Sequence, residues 1–155
     1  MASKDDIVRH MEQLRAEIEE AVSAMPEDGW SKCVYESGWN AYQLLSHIAS
    51  MSGTGGFVLN LARMPSAPSL GAGFDEDGFN ARLVAEREGR STSELVGEIG
   101  ANFARDVAAI RAAPEEVLTK QFRAPWGVEG EVADVIIESL QGHLGLHLAD
   151  LRSAI

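Results

Sequence analysis

Ile7, Met11, Leu14, Ile18, Val22 and Met25 recur at steps of three and four, with charged residues between them. That period predicts an amphipathic helix from about Lys4 to Ala24, ended by Pro26 and Gly29. The polar-aromatic segment from Trp30 to Trp39 shows no such period. Asn40 then reads as an N-cap, with Gln43 at the capping-box position and Trp39 placed to staple onto Leu44. Leu44, Leu45, Ile48, Met51, Val58 and Leu59 carry the second helix towards Ala62. Gly53, Gly55 and Gly56 cost it about 1 kcal/mol each if exposed in its interior. They imply the close approach of another backbone, or a break.

Pro65, Pro68, Gly71 and Gly73 mark a loop. A short, highly charged helix is expected from Asp75 to Glu88, with Phe79, Leu83 and Val84 inward. Ser91 to Glu94 spells a second capping box, opening a helix through Leu95, Ile99, Phe103, Val107 and Ile110 to Pro114. Thr119 to Gly130 reads as irregular, with a turn at Pro125-Trp126-Gly127. From Glu131 to Ile155 the helical period returns, and Glu131 and Asp134 favour the positive end of the helix dipole. No period-two pattern persists anywhere. The expected fold is all-α: a four-helix bundle with an additional short helix in the connection between helices 2 and 3, forming one domain over residues 1–155.

Composition narrows the function classes. A net charge of −11, from 24 acidic and 13 basic residues, repels phosphates and anionic lipid, so neither nucleic acid nor membrane is an expected partner. A lone cysteine, Cys33, permits no internal disulfide. With no signal-peptide layout and no apolar run of membrane-spanning length, the cytoplasm is the expected location. Arginine far outnumbers lysine, pointing to a GC-rich bacterial source.

The chemistry gathers on histidines. His143 and His147, four residues apart in the last helix, share a face with Val132, Ile136, Leu140 and Leu151, about 6 Å apart along the axis. His47 shares a face with Leu44, Ile48, Met51 and Val58. Three imidazoles aimed into one apolar interior need a reason, because an unpaired buried polar group costs a few kcal/mol. A divalent transition metal supplies one, and three protein ligands leave positions open for water or substrate. The bland alternative is three histidines hydrogen-bonded to neighbours. His10, at the margin of the first helix's stripe, reads as structural or solvent-facing. The zinc-protease helix signature is excluded, since its general-base glutamate is replaced by Leu144.

Other polar groups are weaker candidates. Ser139 lies one turn before His143. Asp150, nearly a turn after His147, is placed either to orient an imidazole or to pair with Arg152. Cys33 reads as a small packed side chain, since only Lys32 is near to activate it. Glu36 and Arg123 sit in irregular segments where active-site groups collect. Trp30, Trp39 and Trp126 either line an apolar pocket mouth, formed by Gly29–Gly38 and Phe122–Gly130, or pack in the core.

The run Trp39-Asn40-Ala41-Tyr42-Gln43-Leu44-Leu45-Ser46-His47-Ile48-Ala49, with His143-Leu144-Gly145-Leu146-His147-Leu148-Ala149-Asp150-Leu151-Arg152, resembles the DinB-like superfamily. That group includes the N-terminal domains of mycothiol-dependent maleylpyruvate isomerases and the bacillithiol transferases. The resemblance implies a four-helix bundle of non-sequential helix order and a nickel, zinc or iron site on His47, His143 and His147. It also implies activation of a low-molecular-weight thiol such as mycothiol or bacillithiol. The expected function is a metal-dependent, thiol-dependent S-transferase or isomerase acting on a small electrophile. The alternatives are a metal-dependent hydrolase and a non-catalytic, stress-related bundle that binds metal or a small molecule. A homodimer is expected, as related proteins often pair.

Overall fold

The computed structural model describes residues 2–155. Helix α1 (Lys4–Ala24) opens on a Ser3–Asp6 capping box, and its stripe buries Ile7, Met11 and Ile18 fully, with Val8 and Ala21 beside them. The second long helix is two successive helices, α2 (Ala41–Met51) and α3 (Thr54–Ala62), interrupted at Ser52 and Gly53. The Asn40–Gln43 capping box forms as the sequence predicts, and so does Ser91–Glu94 at the start of α5 (Thr92–Ala112). Between them α4 (Glu76–Ala85) is the expected short helix, N-capped by Asp75. Only Val84 of its apolar residues is buried; Phe79 is exposed and packs against Phe74 and under the Arg82 guanidinium.

After the single turn α6 (Glu115–Leu118), the segment expected to be irregular forms a hairpin. Strand β1 (Gln121–Arg123) pairs antiparallel with β2 (Glu129–Glu131), Phe122 facing Gly130 across the register. Three residues a side are too few to show a period in sequence. Gly127, at φ +97°, lets the chain reverse. Glu131 caps α7 (Val132–Ser139), a π-helical turn follows at Leu140–Gly145, and α8 (Leu146–Arg152) completes the last helix.

The four long helices enclose one core. Helix α1 packs on α5 and on α7 and α8; α2 and α3 pack between the same two neighbours. The first and second helices therefore sit diagonally, and the bundle order is non-sequential. This is the expected four-helix bundle, with α4 as the additional short helix and the small hairpin as an unexpected addition.

Gly53 lies at the break itself, against the Arg105 guanidinium, while Gly55 and Gly56 answer to a carboxylate and not to a backbone. Asp106 of α5 is buried at 1% exposure, with its side chain against Gly55 and Gly56 at the start of α3. A Cβ at Gly56 would collide with Asp106 Oδ1, and one at Gly55 would press Oδ2 at 3.3 Å. Burial raises the Asp106 pKa, opposed by the Gly56 N–H and by Arg105. Gly53 offers α3 no side-chain cap, so this carboxylate supplies negative charge where the helix dipole is positive. Asn102, one turn earlier on α5, donates to Ser52 Oγ at 2.7 Å and holds the other side of the break.

Candidate metal centre

His47 comes from the middle of α2, His143 from the π turn, and His147 from the first turn of α8. The apolar residues around them on each helix drive those faces into the core, carrying the imidazoles with them. His47 is 2% exposed and His147 7%; His143 is half-buried. Each offers one nitrogen to a common point, the three atoms lying within 4.8 Å of one another. Nε2 of His47 and Nε2 of His143 stand 3.0 Å apart. The ring centroids are 4.8 to 5.2 Å apart pairwise. The expected trio is thus brought together.

The last helix does this with a wider turn than its sequence suggested. The π segment Leu140–Gly145 ends just before His147, so the two histidines belong to turns of different pitch. Such turns occur mostly as local bulges within α-helices, often at functional sites. Gly142 and Gly145, both with open space where a Cβ would stand, are the one sequence trace of it.

Electrostatics keep the cluster neutral. Burial, followed by the charges of His147 and His143, lowers the His47 pKa to about 3. Burial and His147 lower His143 to about 4. Burial also lowers His147, against the opposing pull of Asp150. Asp150 Oδ2 lies 3.6 Å from His147 Nδ1, on the side expected of an orienting carboxylate, though too far for a direct hydrogen bond. Arg152, its other expected partner, turns instead to Glu17 at 3.4 Å. Nδ1 of His47 and Nδ1 of His147 are buried without a hydrogen-bond partner.

The donor set suits a transition-metal dication. Two imidazole nitrogens on one tetrahedral ion, with bonds of 2.0–2.1 Å, stand about 3.3 Å apart, close to the His47–His143 spacing. Three neutral imidazoles with depressed pKa values need lose no proton to bind. A carboxylate beside the Nδ1 edge of His147 is the usual outer support of a metal-bound histidine.

An aromatic wall closes one side. The Trp39 ring lies 5.0 Å from that of His47, Tyr35 stands edge-on to His147 at 5.2 Å, and Tyr35 stacks on Trp39 at 5.7 Å. Tyr35 was not singled out from sequence; its only signal was membership of the aperiodic aromatic segment before α2. Of the three tryptophans read as lining either a pocket mouth or the core, Trp39 packs against a histidine of the cluster. Trp30 packs against the core. Trp126 donates to Ser139 Oγ at 3.2 Å and stacks on Phe57 at 6.1 Å. Segment 122–130 helps line a separate hollow of about 570 Å³ beside the loop of residues 64–69.

The remaining candidates lie outside the cluster. His10 Nδ1 pairs with the Gln141 amide at 2.7 Å. Cys33 is exposed, contrary to the packed side chain expected. Arg123 faces Glu129 across the hairpin at 3.9 Å. Glu36 is exposed beside Tyr35. Among the described residues no helix is long and apolar enough to cross a membrane.

Residues 11–152 match the family model of the mycothiol maleylpyruvate isomerase N-terminal domain, and the chain belongs to that family, within the DinB-like superfamily its motifs resemble. No protein of curated function matches it. Among solved structures it is similar to YfiT from Bacillus subtilis, a probable metal-dependent hydrolase with an unusual four-helix bundle topology. The TM-score is 0.76 at 16% identity, covering 99% of this chain and 88% of YfiT. It is also similar to the mycothiol-dependent maleylpyruvate isomerase, with TM-score 0.73 at 12% identity, covering 97% of this chain. It spans only 61% of that isomerase's length. At such identities these likenesses establish the shared fold.

Proposed function

We propose that this protein is a metal-dependent enzyme that holds a divalent transition ion on His47, His143 and His147 and uses it to turn a low-molecular-weight thiol against a small electrophile, by S-transfer or isomerisation. One observation carries the reading: three neutral imidazoles, two buried and one half-buried, converge from two helices with their candidate ligand atoms within 4.8 Å of one another. When bound, the ion supplies Lewis acidity that lowers the pKa of a coordinating thiol.

The chain's own groups do the rest. Asp150, 3.6 Å from Nδ1 of His147, is the carboxylate that would support that ring once it held the ion. Burial against Trp39 keeps His47 unprotonated, so it competes for no proton at neutral pH. Tyr35 and Trp39 cover one side of the cluster with an aromatic surface on which an apolar part of a substrate can rest. The family assignment favours the thiol; the fold shared with YfiT makes water the alternative nucleophile, and hydrolysis the alternative reaction, at the same three histidines.

Metal analysis of untagged protein is expected to give one divalent ion per chain. His47→Ala and His143→Ala should each lose stoichiometric metal while keeping the helical circular-dichroism signal. Tight metal retained by either variant removes that residue from the ligand set. In the cobalt-loaded protein a sulfur-to-metal charge-transfer band on adding thiol supports the transferase. A spectral change with an apparent pKa near 7 and no response to thiols supports the hydrolase.

A further inference from the structure

The hollow beside the loop of residues 64–69 contains none of the three histidines. Its volume, about 570 Å³, falls within the range of small-molecule sites. The buried part of its lining is apolar, from Leu61, Phe122 and Ala124. The register of the hairpin also places an open strand edge there. Val132 N–H donates to Lys120 O and Ala124 N–H to Val128 O, so residues 120, 122 and 124 turn their backbone groups to β2. Gln121 and Arg123 therefore point their N–H and C=O away from β2, and no backbone group among the described residues pairs with them. Every residue from 120 to 125 lines the hollow and none of β2 does, so the hollow runs along that open edge.

Its charge is opposite to that of the chain as a whole. Lys120 and Arg123 line the hollow and no Asp or Glu does, in a chain with 24 acidic and 13 basic residues. Lys120 Nζ is held by a bond to Ala62 O at 2.7 Å, which uses one of its three donors and fixes the ammonium in place. Arg123 has Glu129 near it at 3.9 Å, too far for a direct hydrogen bond. Ser66 and Ser69 add hydroxyls on the loop side.

We propose that this hollow is a second binding site, for a small monocarboxylate with an apolar chain. The carboxylate meets Lys120 and the free N–H groups of the β1 edge, the chain lies on Leu61, Phe122 and Ala124, and Arg123 adds attraction from the rim. A neutral molecule of the same shape gains the apolar burial alone, and a cation is repelled by both basic side chains. Binding here needs neither the metal ion nor a thiol.

Backbone amide chemical shifts of the full-length protein, zinc-loaded and metal-free, test this with octanoate, 1-octanol and octylammonium as probes. Octanoate should move the amides of Ser66, Ser69, Gln121 and Arg123 saturably in both forms. It should bind about tenfold more tightly than 1-octanol, with octylammonium weakest. Arg123→Gln, at an exposed position, should weaken octanoate about threefold and leave 1-octanol unchanged. Lys120→Met should weaken octanoate about tenfold, and Lys120→Arg, which keeps the charge, should retain most of the affinity. If Lys120→Met does not fold, the probe series and Arg123→Gln decide the matter. Equal affinities for octanoate and 1-octanol overturn the proposal, as does the lack of saturation by about 10 mM octanoate. Shifts confined to the zinc-loaded form or to residues around His47 and His143 overturn it as well, and so does an Arg123→Gln variant that binds octanoate at full affinity.

Discussion

Stripped of metal, the protein should lose stability steeply between pH 6 and pH 5, and His47→Gln should remove a defined share of that loss. In the folded chain His47 titrates at about 3 and His143 at about 4, driven first by burial. In the unfolded chain both return to about 6.5. The folded values lie below the unfolded ones, so the stabilisation is complete above about pH 6.5 and drains away as pH falls towards the folded values. Over the step from pH 6 to pH 5, a histidine that stays neutral only when folded costs about 1.2 kcal/mol. His47 and His143 together cost about 2.4 kcal/mol, a large part of the 5–15 kcal/mol typical of a small domain. Burial lowers the His147 pKa as well, against the opposing pull of Asp150, so its contribution has the same sign. Urea unfolding in EDTA at pH 5.0, 5.5, 6.0 and 7.0, analysed with a common slope, measures this directly. Glutamine at position 47 keeps a polar group and does not titrate, so the variant should lose about 1.2 kcal/mol less than the parent over the same interval. Equal losses in parent and variant would refute the reasoning, because native His47 would then protonate like a free imidazole despite its 2% exposure.

Gly56→Ala, stabilising by up to about 1 kcal/mol in an open helix, should here destabilise by about 2 kcal/mol through collision with Asp106. Adding Asp106→Ala should recover part of that loss in a double-mutant cycle; simple additivity would show that the two side chains do not meet. Asn40→Ala should cost about 1 kcal/mol, read as a fall in thermal midpoint, since Asn40 accepts from the Gln43 N–H at 2.8 Å at the head of the helix carrying His47. Asp150→Asn should weaken metal affinity about 10- to 100-fold without unfolding the chain, and unchanged affinity would exclude Asp150 as a support of His147. Exposed Leu146 and Phe57 are consistent with a homodimer, and light scattering that finds only monomer at micromolar concentration would refute it.

Much of the bundle was legible along the chain. The stripe of α1, the capping boxes at Asn40 and Ser91, the short charged helix and the inward faces of His47, His143 and His147 all follow from local rules. A helix period and a cap involve residues no more than a few positions apart, and each bond satisfies its own neighbourhood. The convergence of the histidines was also anticipated, because an apolar face carries its polar members inward with it. The hairpin was not, since strands of three residues gain their stability from Phe122 and Ala124 packing into the core and not from a pattern.

What remained required contacts between distant parts of the chain. The break between α2 and α3 is settled by Asp106, some fifty residues later, whose burial the surrounding sequence does not announce. Tyr35 becomes part of the centre only because its loop folds back over α8, and Trp126 leaves it because the hairpin sets that ring on Phe57. The π turn depends on how the last helix must seat against α2 while presenting two imidazoles to a third. Local sequence determines which groups face inward, since that is a matter of period and burial. Which of them meet, at what distance and beside which charge, is decided only when the helices pack, because those interactions act through space.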